Sequence, residues 1–154
     1  MKKILPFAWI LAAGALTLYS FTQVSLSLTL TQLPVWQSIQ KAFQYVGYFN
    51  RPLSATLYII IVAVLFLLYC FTLYLIRKKQ LSVKLVSGII LAVSIILFAA
   101  YNAFSYDIFN YIFDAKIVTN YAQNPYEHKA LDYPGDPMLS FMQWTHRTYP
   151  YGPV

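Results

Sequence analysis

The sequence predicts an all-α polytopic membrane protein, with three transmembrane helices, an interfacial amphipathic helix and an extracytoplasmic helix-and-loop segment. Three observations predict it. Apolar residues make up 59% of the 154 and charged residues only 10%, too apolar a balance for a water-soluble domain of this length. Three apolar runs reach the roughly 20 helical residues that cross a hydrocarbon core. All five acidic residues, Asp107, Asp114, Glu127, Asp132 and Asp136, fall in the last third of the chain. A carboxylate-free membrane region, 1–104, therefore precedes a polar, aromatic, Pro-punctuated segment, 105–154.

The first span is expected over about 4–24, since no charge occurs between Ile4 and Gln40. Lys2-Lys3 ahead of an apolar run also fits a secretory signal, but Ala13-Gly14-Ala15 lies inside that run rather than after it, which disfavours cleavage. Ser25 to Thr31 alternates with period two and reads as frayed helix or extended chain. Pro34 then opens a helix over about 34–49, with Val35, Trp36, Ile39, Phe43 and Val46 on one face and Gln37, Gln40, Lys41 and Gln44 opposite. Such a helix either lies in the membrane interface or packs on other spans. Asn50-Arg51-Pro52 ends it.

Residues 53–76 are uncharged and form the second expected span; 81–104 form the third, with Lys84 near enough its end to snorkel. Between them Arg77-Lys78-Lys79-Gln80 is a basic turn, which the positive-inside rule places in the cytoplasm. The amino terminus is then cytoplasmic and 105–154 extracytoplasmic, in an integral protein of the plasma membrane. The +6 net charge does not indicate a nucleic-acid partner, because six of the eleven basic residues flank apolar runs instead of lining one face. Cys70 has no cysteine to pair with, and Gly14 and Gly88 read as small residues for close helix packing.

In the final segment Asp107, Asn110, Tyr111 and Asp114 stand at i, i+3, i+4 and i+7, one polar stripe if the third span continues as helix, with Ile108, Ile112, Ala115 and Ile117 facing elsewhere. Carboxylates just beyond a membrane exit sit in water, pair with a base, or serve a role. Turn clusters follow at Asn124-Pro125-Tyr126, at Tyr133 to Pro137 and at Tyr149 to Pro153. His128 and His146 lack metal-ligand spacing, and Asp132 and Asp136 sit in a Pro-Gly turn where carboxylates are usually exposed, so no metal or other cofactor is expected.

The ordered elements Ser105-Tyr106-Asp107, Tyr111 and Asp114, Asn124-Pro125-Tyr126 and Tyr149-Pro150-Tyr151-Gly152-Pro153 resemble polyprenol-phosphate-mannose-dependent glycosyltransferases (mannosyltransferases) of the C-type (GT-C) membrane fold, over about the last third of the chain. The resemblance implies transfer of a sugar, mannose in that family, from a polyprenyl-phosphate carrier to a hydroxyl of a glycan or lipid acceptor, with inversion. It makes Asp107 the general base and Asp114 the second candidate. For the departing lipid phosphate, Lys116, His128, Lys129, His146 and Arg147 are available, Arg147 foremost, although a surface-solvating role suits it equally. Tyr111, Asn124, Tyr126, Tyr149 and Tyr151, with His146 and Arg147, form the expected substrate-binding set. Tyr121 and Trp144 suit the same sugar-facing cleft, and an aromatic belt at headgroup depth explains such residues as well. Family members have more helices, so the chain is expected to be an amino-terminal portion. The alternative is a small non-catalytic membrane subunit that docks on a partner through its aromatic loop.

Overall fold

A computed structural model describes residues 4–102 and 105–152 of the chain. Lys2 and Lys3, the end of the expected third span at 103–104, and Pro153 of the closing motif lie outside the described residues. Among the described residues the structure is all-helical, without strands. The helices are α1 (Ile4–Ser20, continued by a 3-10 turn Phe21–Gln23), α2 (Pro34–Phe49), α3 (Arg51–Arg77), α4 (Val83–Phe98) and α5 (Asp107–Thr119). Two 3-10 turns follow, Ala130–Asp132 and Pro137–Ser140. By contact, the described residues of Met1–Val24 and Thr31–Ala103 form one compact unit, and those of Ser25–Leu30 and Phe104–Val154 a second. Ser25–Leu30, read from sequence as part of the membrane region, groups with the polar segment through the Ser27 hydroxyl, which donates to the Ser140 carbonyl at 2.8 Å.

In the first unit α1 packs on both α3 and α4. Leu5, Leu75 and Ile89 are buried together, with Trp9, Leu68, Phe71, Leu85 and Val93 around them. Polar side chains tie the helices: Trp9 Nε1 donates to Thr72 Oγ1 at 3.1 Å, Thr17 Oγ1 to the Ile96 carbonyl at 3.3 Å, and the Tyr101 N–H to Ser20 Oγ at 2.8 Å. Such bonds hold helices together where apolar surface alone gives no preference for a neighbouring helix over lipid.

Helices Ile4–Gln23 and Arg51–Arg77 are each long and apolar enough to cross a membrane. Along α3 only 11% of the most apolar window is buried, and Ile59, Phe66 and Leu67 stand exposed, so the described residues leave that face uncovered. The third expected span is shorter than its sequence suggests. Helix α4 holds 16 residues, a rise of about 24 Å against the roughly 30 Å of a hydrocarbon core. The breaks are local chemistry. Asn50 Oδ1 caps α3 by accepting from the Leu53 N–H at 3.3 Å, Pro52 occupies its first turn, and Ser82 Oγ caps α4 through the Leu85 N–H at 3.3 Å.

Helix α2 begins at Pro34 and ends at Phe49, as its pattern predicts, but its packed strip is rotated toward the amides: Ile39, Phe43 and Val46 are half-buried, Lys41 is exposed, and two glutamines are the most buried positions. Gln40 and Gln44 are 5% exposed, whereas Val35 is 71% exposed. Gln44 Nε2 donates to the Val24 carbonyl at 3.2 Å, and Gln37 Nε2 to that of Thr31 at 3.0 Å. The long amides satisfy carbonyls of the non-helical chain around α2, which turns Val35, Trp36 and Phe49 outward.

Close approach is provided by Gly47 and not by the expected glycines. A β-carbon on Gly14 or Gly88 would meet nothing within 4 Å, but one on Gly47 would lie 1.9 Å from the Thr22 carbonyl oxygen. Gly47→Ala is therefore expected to part α2 from Phe21–Gln23 and destabilise the first unit by about 1–3 kcal/mol, read as a lower thermal midpoint in lipid nanodiscs. Gly88→Ala, with open space around it, serves as the neutral comparison.

Candidate functional site

Helix α5 starts afresh at Asp107 instead of continuing the preceding apolar helix, which ends at Phe98. Ser105 Oγ accepts the Asp107 N–H at 3.1 Å, and the carboxylate in the first turn suits the positive end of the helix dipole. One face of α5 buries Phe113 and Ile117 against Ala130, with Tyr121, Tyr133, Met138, Leu139 and Met142 around them. Ile108 and Ile112, which the pattern grouped with Ile117, are exposed.

A second anchor is a buried ion pair. Asp136, expected exposed in its Pro-Gly turn, is buried, and its Oδ2 accepts from Lys116 Nζ and, at 2.7 Å, from the Tyr121 hydroxyl. Its Oδ1 caps the turn Pro137–Ser140 through the Met138 N–H at 3.0 Å. Burial pushes this carboxyl up, but the bonds from Lys116, Met138 and Tyr121 outweigh it and hold Asp136 below the ordinary carboxylate value. The same bond raises Lys116, which is thereby committed to Asp136 and is not free for a substrate phosphate. Asp132 lies 3.7 Å from His128 Nδ1 and accepts the Lys129 N–H, a local contact. Among the described residues no group of three metal-ligating side chains occurs.

The polar stripe of α5 faces a cleft of about 420 Å³. Asp107, Asn110, Tyr111 and Asp114 line one side, and Trp144, Arg147, Pro150 and Tyr151 the other. The turn Trp144-Thr-His-Arg147 is closed by the Arg147 N–H donating to the Trp144 carbonyl at 3.1 Å, and it stacks the guanidinium 4.3 Å over the indole. Two long-range bonds fix these loops, from the Leu131 N–H to the Thr145 carbonyl at 3.1 Å and from the Tyr149 N–H to the Pro125 carbonyl at 2.9 Å.

Charges in the cleft are not paired off. Among the described residues the ion pairs are Lys116–Asp136 and His128–Asp132, so Asp107, Asp114 and Arg147 take part in none. Burial alone raises the half-buried Asp114 carboxyl. Tyr111 is pushed up to about 12, first by its hydroxyl contact with Tyr151 at 3.3 Å, then by burial and by nearby charge including Asp107. It therefore stays a hydrogen-bond donor at neutral pH.

Comparison with protein-family models, with curated proteins and with solved structures finds no match. The site thus rests on its own geometry.

Of the residues singled out from sequence, Asp107, Asp114, Tyr111, Arg147 and Tyr151 line the cleft, and Asn124, Tyr126, His146 and Tyr149 do not. Asn124 is occupied within its own turn: Oδ1 accepts from the Tyr126 N–H at 3.1 Å, its amide donates to Glu127 at 3.0 Å, and its carbonyl accepts from Glu127 and His128. Tyr126 and Tyr149 pack edge-on at 5.3 Å, and Tyr149 meets Tyr151 at 5.7 Å, supporting the one tyrosine of the closing motif that lines the cleft. His146 lies against Trp144 at 6.3 Å. Asn110 and Trp144 were visible in the stripe and among the aromatics but were not in the predicted binding set. The signal for Trp144 was its three-residue spacing from Arg147, which a turn closes.

Proposed function

We propose that this protein is a membrane glycosyltransferase of the GT-C type that transfers a sugar, mannose by the sequence resemblance, from a polyprenyl-phosphate carrier to a hydroxyl acceptor. The observation that carries the reading is the convergence of Asp107, Asp114, Tyr111, Arg147 and Tyr151 on one cleft, with the two carboxylates and the guanidinium outside any ion pair among the described residues.

The chemistry needs that set. The acceptor oxygen attacks the anomeric carbon while its proton passes to Asp107, and the bond from that carbon to the phosphate oxygen breaks. Polyprenyl phosphate leaves with the electron pair, and its charge is met by Arg147 and the Tyr111 hydroxyl. A carboxylate that accepts the proton as the bond forms contributes on the order of 10²–10⁴ in rate. Asp114, whose raised value brings it nearer to working pH, is the second carboxylate in reach of the substrate.

In this reading α1, α3 and α4 all cross the bilayer, the amino terminus and the basic turn at Arg77–Lys79 are cytoplasmic, and the second unit is extracytoplasmic. Helix α4 crosses with its apolar flanks Leu81, Ala99 and Ala100 or with local thinning of the bilayer. A docking subunit would need the exposed aromatics but not two carboxylates and an arginine gathered in one cleft. The test is transfer of labelled mannose from a polyprenyl-phosphate carrier by membranes expressing the complete reading frame, with a nucleotide sugar as the alternative donor. The lipid-linked donor is expected to be used and the nucleotide sugar not.

A further inference from the structure

Two features of the cleft are unexplained by the roles of Asp107, Asp114 and Arg147. Trp144 stands at φ 60°, a left-handed conformation that bulky L-residues seldom adopt. Its backbone is held there by the Arg147 N–H on its own carbonyl and by the bond from Leu131 to the next carbonyl, that of Thr145. Its indole is braced on one side by the guanidinium at 4.3 Å and is still 44% exposed. Strain of this kind persists where surrounding structure over-determines it, and it concentrates at ligand sites.

The second feature is Asn110 Oδ1, which is enclosed yet has no hydrogen-bond partner among the described residues. Enclosed acceptors are paired in the great majority of cases. Asn110 and Trp144 line the same cleft.

A ligand that answers both must bring a flat patch of C–H groups and a hydroxyl donor on one small frame. A pyranose ring has both. We propose that Trp144 and Asn110 form the sugar-ring subsite of the cleft, with the C–H face of the sugar on the open face of the indole and a ring hydroxyl donating to Asn110 Oδ1. The assignment rests on the reading of this cleft as a glycosyl-transfer site. It separates the two ends of the donor: Arg147 meets the phosphate, and its partner indole meets the ring.

The experiment uses methyl mannoside, a neutral sugar without phosphate or lipid, and saturation-transfer NMR on the full chain in lipid nanodiscs. Wild type is expected to transfer saturation to the C–H protons of the ring. Trp144→Gly, which adopts φ 60° without strain, is expected to bind about tenfold more weakly, the loss of one apolar contact face, with no fall in thermal midpoint. Trp144→Phe keeps most of the binding, and Asn110→Ala weakens it. Mannoside binding that depends on Trp144, in a protein that transfers no sugar, supports the subsite and removes the reaction. Transfer by Trp144→Gly with unchanged donor KM and unchanged mannoside binding overturns the subsite and leaves the reaction standing. Absence of mannoside binding by wild type also overturns it.

Discussion

Asp107→Asn is expected to lower glycosyl transfer by about a hundredfold or more at matched expression, the loss associated with removing a general base. The amide keeps the shape of the carboxylate and its place in the first turn of α5, but it cannot take up the acceptor's proton. Donor KM should change little, because Arg147 and Tyr111 still meet the phosphate. Asp114→Asn is expected to keep most of the activity. That side chain is half-buried and its carboxyl is raised by burial, so the amide also removes the cost of a partly desolvated charge. Its thermal midpoint at neutral pH should be equal to or above that of wild type. Rates and KM values measured on both variants in nanodiscs check the assignment, and the reverse order of losses would move the base from Asp107 to Asp114.

Lys116→Met is expected to unfold the second unit at neutral pH while α1, α3 and α4 remain helical. The Asp136 side chain is 1% exposed and cannot reach water when its partner is removed, whereas Lys116 at 25% can. Removing one partner of a buried ion pair costs up to about 3–5 kcal/mol, a large fraction of what a unit of this size has in reserve, offset in part by the Met138 N–H and Tyr121 hydroxyl that still donate to Asp136. Asp136→Asn should cost less, since the amide oxygen still accepts from Met138 or Tyr121 and the ammonium turns to solvent. The pH dependence separates the two cases. In wild type the Asp136 value is depressed, so its contribution is present above the unfolded value of about 3.9 and is lost as pH falls through the folded one. In Lys116→Met the Met138 N–H and the Tyr121 hydroxyl still oppose burial, but the contribution of Lys116 is gone, so the depression shrinks and less stability should be lost as pH falls than in wild type. Hydrogen exchange at the Phe113 and Ile117 amides, in the centre of this small core, reads both effects locally.

What could be read from sequence was what local chemistry decides. The i, i+3, i+4, i+7 stripe of α5 lines the cleft because helical periodicity alone puts those four residues on one face. Pro34 opens α2 and Asn50 separates it from α3 for equally local reasons, a fixed φ and a side-chain cap. The departures are all tertiary. Gln44 turns inward because Val24, twenty residues earlier, presents a carbonyl that its long amide can reach, and no pattern within α2 encodes that stretch. Asp136 is buried because Lys116, twenty residues earlier, and Tyr121 come to it; its own Pro-Gly turn reads as solvent-exposed. Gly47 matters through Thr22, and Gly14 and Gly88 face open space. Trp144 reaches the cleft through a turn whose backbone conformation its side chain disfavours. Cys70, which has no cysteine to pair with, is free and exposed on α3.

The measurement that bears most directly on the account is the fate of labelled polyprenyl-phosphate-mannose in membranes carrying the wild-type protein, with the anomeric configuration of the product resolved by NMR. A single base at Asp107 and direct attack on the anomeric carbon predict a glycosylated hydroxyl acceptor with inverted configuration. A product with retained configuration, which requires a covalent sugar intermediate on a carboxylate, or no transfer from the lipid-linked donor, would contradict it.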